Sequence, residues 1–177
     1  MRPLRLASLL FALLALVAAQ EEEEESYVTC GSSMKLAHVY SRFRLHSHEV
    51  LRTKRLRLVA LTRPQVAYGS GSGQQSVTAV QDGDDSNSLW VVRPIIGGSC
   101  AQGSRIPDGA VFRLQHAETK RWLHSHNHRS PLSNQQEVSA YGEEAQSNTN
   151  DHWRVDTGGE PFWERDAQVY LQVRNAS

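Results

Sequence analysis

The feature that most constrains this chain is an internal repeat. Met34-Lys35-Leu36-Ala37-His38 and Phe43-Arg44-Leu45-His46-Ser47-His48 recur 78 positions later, without a gap, as Phe112-Arg113-Leu114-Gln115-His116 and Arg121-Trp122-Leu123-His124-Ser125-His126. Gln74-Gln75-Ser76-Val77 then matches Gln135-Gln136-Glu137-Val138, and each copy closes on a tryptophan, Trp90 and Trp153. The signature positions are Leu45, His46, His48, Gln75 and Trp90 in the first copy and Leu123, His124, His126, Gln136 and Trp153 in the second. A unit used twice buries its apolar face against its own neighbours, so its copies share one core.

The matched pieces read as strands. Met34, Leu36 and His38 alternate with Lys35 and Ala37, and Phe112 and Leu114 alternate with Val111, Arg113 and Gln115. Period-two patterns between clusters of Gly, Ser, Asn and Asp mean short strands and tight turns. No helical stripe appears in either copy. The expected class is all-β, with short strands recurring as in a barrel or trefoil. Arg165-Asp166-Ala167-Gln168-Val169-Tyr170-Leu171-Gln172 parallels Pro107-Asp108-Gly109-Ala110-Val111-Phe112-Arg113-Leu114 as the start of a third copy. A third copy cut short leaves an open edge and exposed core.

Spacing also shows an insertion. Between His48 and Gln74 lie 25 residues, and between His126 and Gln135 only 8. The extra residues fall at about 51–67, a stretch with five basic and no acidic residues. It reads as a tolerated surface loop, whose lengthening costs little entropy, or as translated non-coding sequence. A basic amphipathic segment for a membrane surface or a partner is a third reading.

The N-terminus is an address. Arg2 and Arg5 precede an apolar run from Ala7 to Val17, and Val17-Ala18-Ala19 offers small residues for cleavage, so residues 1–19 form a signal peptide. The run is too short for a typical membrane span. Glu21–Glu25 lie in an acidic, solvated tail covering residues 20–26. The two cysteines, Cys30 and Cys100, pair as one bridge in an oxidising lumen, or remain as two buried thiols; the compartment favours the bridge. With 19 basic and 19 acidic residues, no net field draws the chain to nucleic acid.

The remaining motifs are weak. His46 with His48, and His124 with His126, lie two apart on one strand face and could begin a zinc site. No further ligand at a recognised spacing completes it, and recurrence favours a structural role, such as bonding the turn after the strand. Gly69-Ser70-Gly71-Ser72-Gly73 reads as a flexible turn, since it lacks the Lys and helix of a phosphate loop. Asp84-Asp85 and Glu143-Glu144 are expected to be solvated. No serine elbow or Cys/His pair marks catalysis. Trp90 and Trp153 are expected in the core. Asn175-Ala176-Ser177 is a formal glycosylation sequon, a poor acceptor at a terminus.

Val28-Thr29-Cys30-Gly31-Ser32, Arg44-Leu45-His46-Ser47-His48, Tyr68-Gly69-Ser70-Gly71-Ser72-Gly73-Gln74-Gln75-Ser76-Val77-Thr78 and Asp85-Ser86-Asn87-Ser88 together resemble the stromal cell-derived factor 2 family. So do Leu123-His124-Ser125-His126, Ser130-Pro131-Leu132-Ser133, Gln136-Glu137-Val138-Ser139-Ala140 and Trp163-Glu164-Arg165-Asp166. The resemblance implies a β-trefoil of MIR repeats. Residues 27–99 would be the first repeat with its insertion, 100–158 the second, and 159–177 the start of a third. It further implies a small protein of the endoplasmic reticulum lumen that partners a DnaJ-type co-chaperone and the chaperone BiP; the expected mode of action is binding of co-chaperones or client polypeptides through the trefoil surfaces. It implies no enzyme activity, cofactor, catalytic residue or metal. Because MIR repeats also occur in protein O-mannosyltransferases, glycan binding is the alternative. No Lys-Asp-Glu-Leu-like ending is present, so retention in the lumen would depend on a bound partner, and secretion is the alternative.

Overall fold

The computed structural model describes residues 26–48, 71–130, 133–143, 146 and 148–174. The expected signal peptide, the glutamate run, the expected insertion at about 51–67 and Asn175 lie outside the described residues.

Nine strands appear among the described residues: β1 (Ser33–Met34), β2 (Arg44–Ser47), β3 (Gln75–Val80), β4 (Trp90–Arg93), β5 (Val111–His116), β6 (Trp122–Arg129), β7 (Gln136–Tyr141), β8 (Trp153–Asp156) and β9 (Tyr170–Val173). Each is short because turn-forming residues interrupt the apolar alternation every few positions. All pairings are antiparallel. The main path runs β1-β4-β5-β6-β7-β3-β2, and β8 joins β5 to β9. Two short 3-10 turns, Ser86–Ser88 and Thr149–Asp151, precede β4 and β8.

Three-fold pseudo-symmetry shows in the backbone. The Val28 N–H donates to the Trp163 carbonyl (2.8 Å), Trp163 to Ile106 (2.8 Å), and Ile106 back to Val28 (3.1 Å). This closed triangle marks an axis where three equivalent segments meet, and all three side chains are buried. A second ring repeats the pattern: Cys30, Asp108 and Arg165 donate to Ser104, Pro161 and Ser26 at 2.8, 3.1 and 2.8 Å. Just outside the axis, the Arg105 guanidinium lies 4.2 Å from the Tyr27 ring centroid and 5.8 Å from that of Phe162. The fold is therefore the expected all-β trefoil, with the start of a third unit completing the axis.

The structure corrects the register of that third unit by one residue. Val92 faces Leu114 across β4–β5, and Val155 faces Leu171 across β8–β9. Leu171, not Gln172, is thus the counterpart of Leu114. Gly109 (φ 71°) and Asp166 (φ 61°) then coincide at the same left-handed turn position. The slip matters because the side-chain period is two, so one residue exchanges core and solvent faces. Tyr170, matched to the buried Phe112 by sequence pattern, is 60% exposed, while Val169 packs on the core in that place. The first strand also differs from expectation: the alternation from Met34 to His38 gives regular pairing only at Ser33–Met34, followed by a single bridge, Ala37 to Arg44.

The core joins the two repeats. Val77, Trp90, Val92, Phe112, Leu114, Leu123, Ala140, Trp153 and Val155 form one buried cluster with the axis residues. Cys30 and Cys100 are joined by a disulfide, with Cα atoms 6.1 Å apart. It links the axis strand of the first unit to the segment leading into the second. By the chain-entropy relation, a loop of this length contributes about 4 kcal/mol.

Candidate interaction site

The repeated signature folds into the same hydrogen-bond scaffold twice. Each tryptophan donates its indole N–H to the carbonyl of the signature leucine: Trp90 to Leu45 at 3.1 Å and Trp153 to Leu123 at 2.8 Å. Each signature serine donates to a neighbouring backbone carbonyl, Ser47 to Ser76 (2.8 Å) and Ser125 to Glu137 (2.9 Å). Each also accepts from the signature glutamine, Gln75 at 2.7 Å and Gln136 at 3.0 Å. Leu-His-Ser-His, Gln and Trp are thus one unit: the Trp fills the core while its N–H is satisfied by the strand it covers.

The first histidine of each signature meets a carboxylate. His124 Nδ1 lies 2.7 Å from Asp151, with both side chains buried, and His46 Nδ1 contacts Asp85. The two carboxylates are not at equivalent positions. Asp85 caps its 3-10 turn, where the second repeat has Asn148; Asp151 ends its turn, where the first repeat has Ser88. The histidine partner is therefore retained while its place in the sequence shifts by three residues, which hides it from a positional alignment. The partner is the turn before the tryptophan, not the turn after the strand as the sequence pattern led us to expect. Asp85 is accordingly not a freely solvated carboxylate. Burial opposes its ionisation, but hydrogen bonds from Asn87 and the neighbouring His46 hold its pKa below the usual value.

The second histidines stack alongside. His46 and His48 approach to 2.7 Å between ring nitrogens, and the His124 and His126 ring centroids are 5.0 Å apart. Burial, reinforced by His124, pushes the His126 pKa down. Among the described residues, no group of three or more His, Cys, Asp or Glu is placed to hold a metal.

Sequence reasoning missed Glu137, which is fully buried in β7. Its carboxylate accepts from the Ser72 backbone N–H at 3.3 Å and from the Ser72 hydroxyl. Ser139, one side-chain step along the same strand face, contacts the Gln74 amide oxygen. The glycine-rich stretch of the first repeat is thus tied at Ser72 to the second, where a flexible turn was expected. Along β7, Glu137 and Ser139 alternate with Val138 and Ala140, a pattern that assigns Glu137 to the solvent face, so the sequence held no local signal of its burial.

The two repeats meet at a closed junction. The β5–β6 turn, with Lys120 at φ 60°, lies over the end of the first repeat. There Gln75 donates to Thr119 (3.2 Å), His116 Nε2 pairs with the Asn87 carbonyl (2.8 Å), and the His116 ring sits edge-on to Trp90, centroids 5.0 Å apart. His116 is fully buried, and burial lowers its pKa.

The corresponding end of the second repeat has no such cover among the described residues. Gln136 is exposed, where Gln75 is fully buried. The first repeat's own turn, His38–Arg42, has the same local form, with His38 Nδ1 2.9 Å from the Ser41 hydroxyl and Arg42 at φ 60°. It stands in solvent, however, with Tyr40 88% exposed. Between these two places lies a groove of about 1100 Å³, floored by Leu45, Leu123, Val138, Trp153, Val169 and Leu171.

A family model described as MIR domain matches residues 59–170. The chain is 44% identical to a stromal cell-derived factor 2-like protein of Arabidopsis thaliana over 88% of its length, covering 64% of that protein. It is 42% identical to the human stromal cell-derived factor 2-like protein 1 over 94% of its length, covering 68% of that protein. The chain belongs to the stromal cell-derived factor 2 family. It spans about two thirds of the length of these relatives. The crystal structure of the Arabidopsis SDF2-like protein superposes with a TM-score of 0.72 at 44% identity, covering 83% of this chain and 73% of that one. A Saccharomyces cerevisiae protein O-mannosyltransferase Pmt1-Pmt2 complex bound to the sugar donor gives a TM-score of 0.65 at 26% identity, covering 84% of this chain but 20% of that one. The Arabidopsis relative thus shares this scaffold. Among the described residues, no helix is long and apolar enough to cross a membrane.

Proposed function

We propose that this chain is a non-enzymatic interaction module of the endoplasmic reticulum lumen that assists protein folding and quality control. Its partners in this reading are a DnaJ-type co-chaperone, BiP and client polypeptides. The observation that carries it is the inward use of the signature. In both repeats the indole is bonded to a leucine carbonyl, the serine to the glutamine and the first histidine to an aspartate, an internal use of the signature that favours surfaces over a reactive centre for function. The signal peptide pattern and family membership support the compartment. Affinity capture with the chain as bait from a lumenal extract tests the proposal: recovery of the co-chaperone and BiP is the expected result, and their absence overturns it.

A second reading is glycan binding associated with protein O-mannosylation. It is supported by the likeness to part of the mannosyltransferase complex, at 26% identity over most of this chain. Fold likeness alone does not transfer an activity. A glycan array decides it: selective mannoside binding favours this reading, and a blank array removes it.

A further inference from the structure

We propose that Glu137 and Ser72 form an acid-released latch between the two repeats, with His126 as its proton sensor. The latch holds the entry of β3 against β7. The fully buried Glu137 carboxylate accepts from the Ser72 backbone N–H at 3.3 Å and from the Ser72 hydroxyl. That hydroxyl accepts in turn from the Gln74 backbone N–H at 3.2 Å, and Gly73, at φ 74°, allows the turn between them. Beyond this point β3 is paired with β7 at Gln75–Ala140 and Ser76–Ser139. The regular seam is short, so the bonds to the carboxylate are a large share of what fixes Gly71 to Gln74 in place.

The parts of the latch are departures from the repeat. Glu137 stands where the first copy has Ser76, and His128 where it has Val50. The His128 ring lies 5.7 Å from that of His126, which lies 5.0 Å from that of His124, so three imidazoles stack along β6. In the first copy the second histidine is bonded to the first; His126 Nδ1 is enclosed and has no hydrogen-bond partner among the described residues. The groups that face His126 are His124 and His128 on its own strand and Glu137 on β7, and His124 is itself paired with Asp151. Burial first, then His124 and His128, holds the His126 pKa below its ordinary 6.5 against the pull of Glu137. His126 is therefore neutral at pH 7.5. Once protonated, it faces two other imidazoles and one carboxylate, and only the carboxylate attracts it. A charge-assisted bond to Glu137 outcompetes the neutral donors of Ser72. Ser72 and Gln74 then lose their anchor, and the Gly71–Gln74 turn opens while the core stays packed. The sign follows from the lowered pKa: the latch is closed above about pH 6.5 and is lost as pH falls toward the folded value.

Native-state hydrogen exchange on the full chain tests this, with rates corrected for the intrinsic effect of pH. Between pH 7.5 and 5.5, protection at the Ser72 and Gln74 amides should fall at least tenfold, while that at Val92 and Leu114 in the core holds. His126→Gln, which cannot take the proton, should keep Ser72 protected at both pH values. Glu137→Gln should lower Ser72 protection at pH 7.5 and remove its pH dependence. His152→Gln is the control, since that histidine is also shifted down by burial but faces Arg113, Asp151 and Arg174 instead of Glu137; acid release should persist in it. Release that survives in His126→Gln, or Ser72 protection that falls only in step with the core, overturns the proposal. Should a variant fail to fold, an NMR titration of the unsubstituted chain decides: the His126 ring and the Ser72 amide should share one midpoint, and separate midpoints overturn the latch. The inference is independent of the chaperone reading, because neither outcome involves a partner.

Discussion

The two ends of the repeated scaffold in this molecule carry the same signature in different surroundings. At the junction between the first and second repeats, Trp90 and Gln75 are fully buried and His116 is sealed between them and Asn87. At the end of the second repeat, Trp153 and Gln136 make the same bonds to Leu123 and Ser125, but Trp153 borders an open groove and Gln136 is exposed. The difference separates two contributions that are normally confounded. The internal bonds of a repeat belong to its sequence, whereas the burial of those bonds belongs to the next unit.

Substitutions at paired positions measure that difference. The largest effect is expected from the tryptophans. Trp90→Ala removes a fully buried side chain and should cost about 4 kcal/mol, whereas Trp153→Ala, with the groove already on one side, should cost about 2 kcal/mol. Urea denaturation of both variants checks this, and equal losses would mean that the groove is closed in solution. The aspartates should differ next, in the opposite sense. Asp151→Ala strands a buried His124 and is expected to cost about 3 kcal/mol, while Asp85→Ala, at a pair with partial exposure, should cost about 1 kcal/mol. If Asp85→Ala were the more damaging, the swap of carboxylate position would not be neutral. Gln75→Ala should cost about 1.5 kcal/mol by leaving a buried serine without its donor, against about 0.5 kcal/mol for Gln136→Ala at the exposed end.

The smallest effect is pH dependence. Burial holds the folded pKa of His116 below its ordinary value of 6.5, so the unfolded chain binds the proton more readily. Stability contributed at this site is therefore full above about pH 6.5 and is lost as pH falls toward the folded value. His126 and His152 are shifted in the same direction, also by burial first. His116→Asn should flatten the loss of thermal stability between pH 7 and 5 without abolishing it. An unchanged slope would show that the closed junction does not control acid sensitivity.

Much of this was legible in the sequence because it is local and repeated. Period-two alternation marked the strands at Val111–His116, and the paired Leu-His-Ser-His and Trp motifs marked the scaffold that the indole and serine bonds then formed. The carboxylate partners were not legible, because the histidine needs a charge at a point in space that either of two positions in the turn can reach. Glu137 was missed for a related reason: its partner, Ser72, lies 65 residues away in the other repeat. The third unit was found but misplaced by one residue, since its short alternation, without a His at the end, permits two registers until β8 fixes one.

The sequence by itself determined the repeat unit and the all-β class, because these follow from side-chain periodicity and from motifs read in order. Only the tertiary structure decided which carboxylate meets which histidine, how the third segment closes the axis, and which copy of a common scaffold is covered. Those depend on distances between segments far apart in the chain, and such distances are fixed when strands pair and the core packs, not by the neighbours of a residue in sequence.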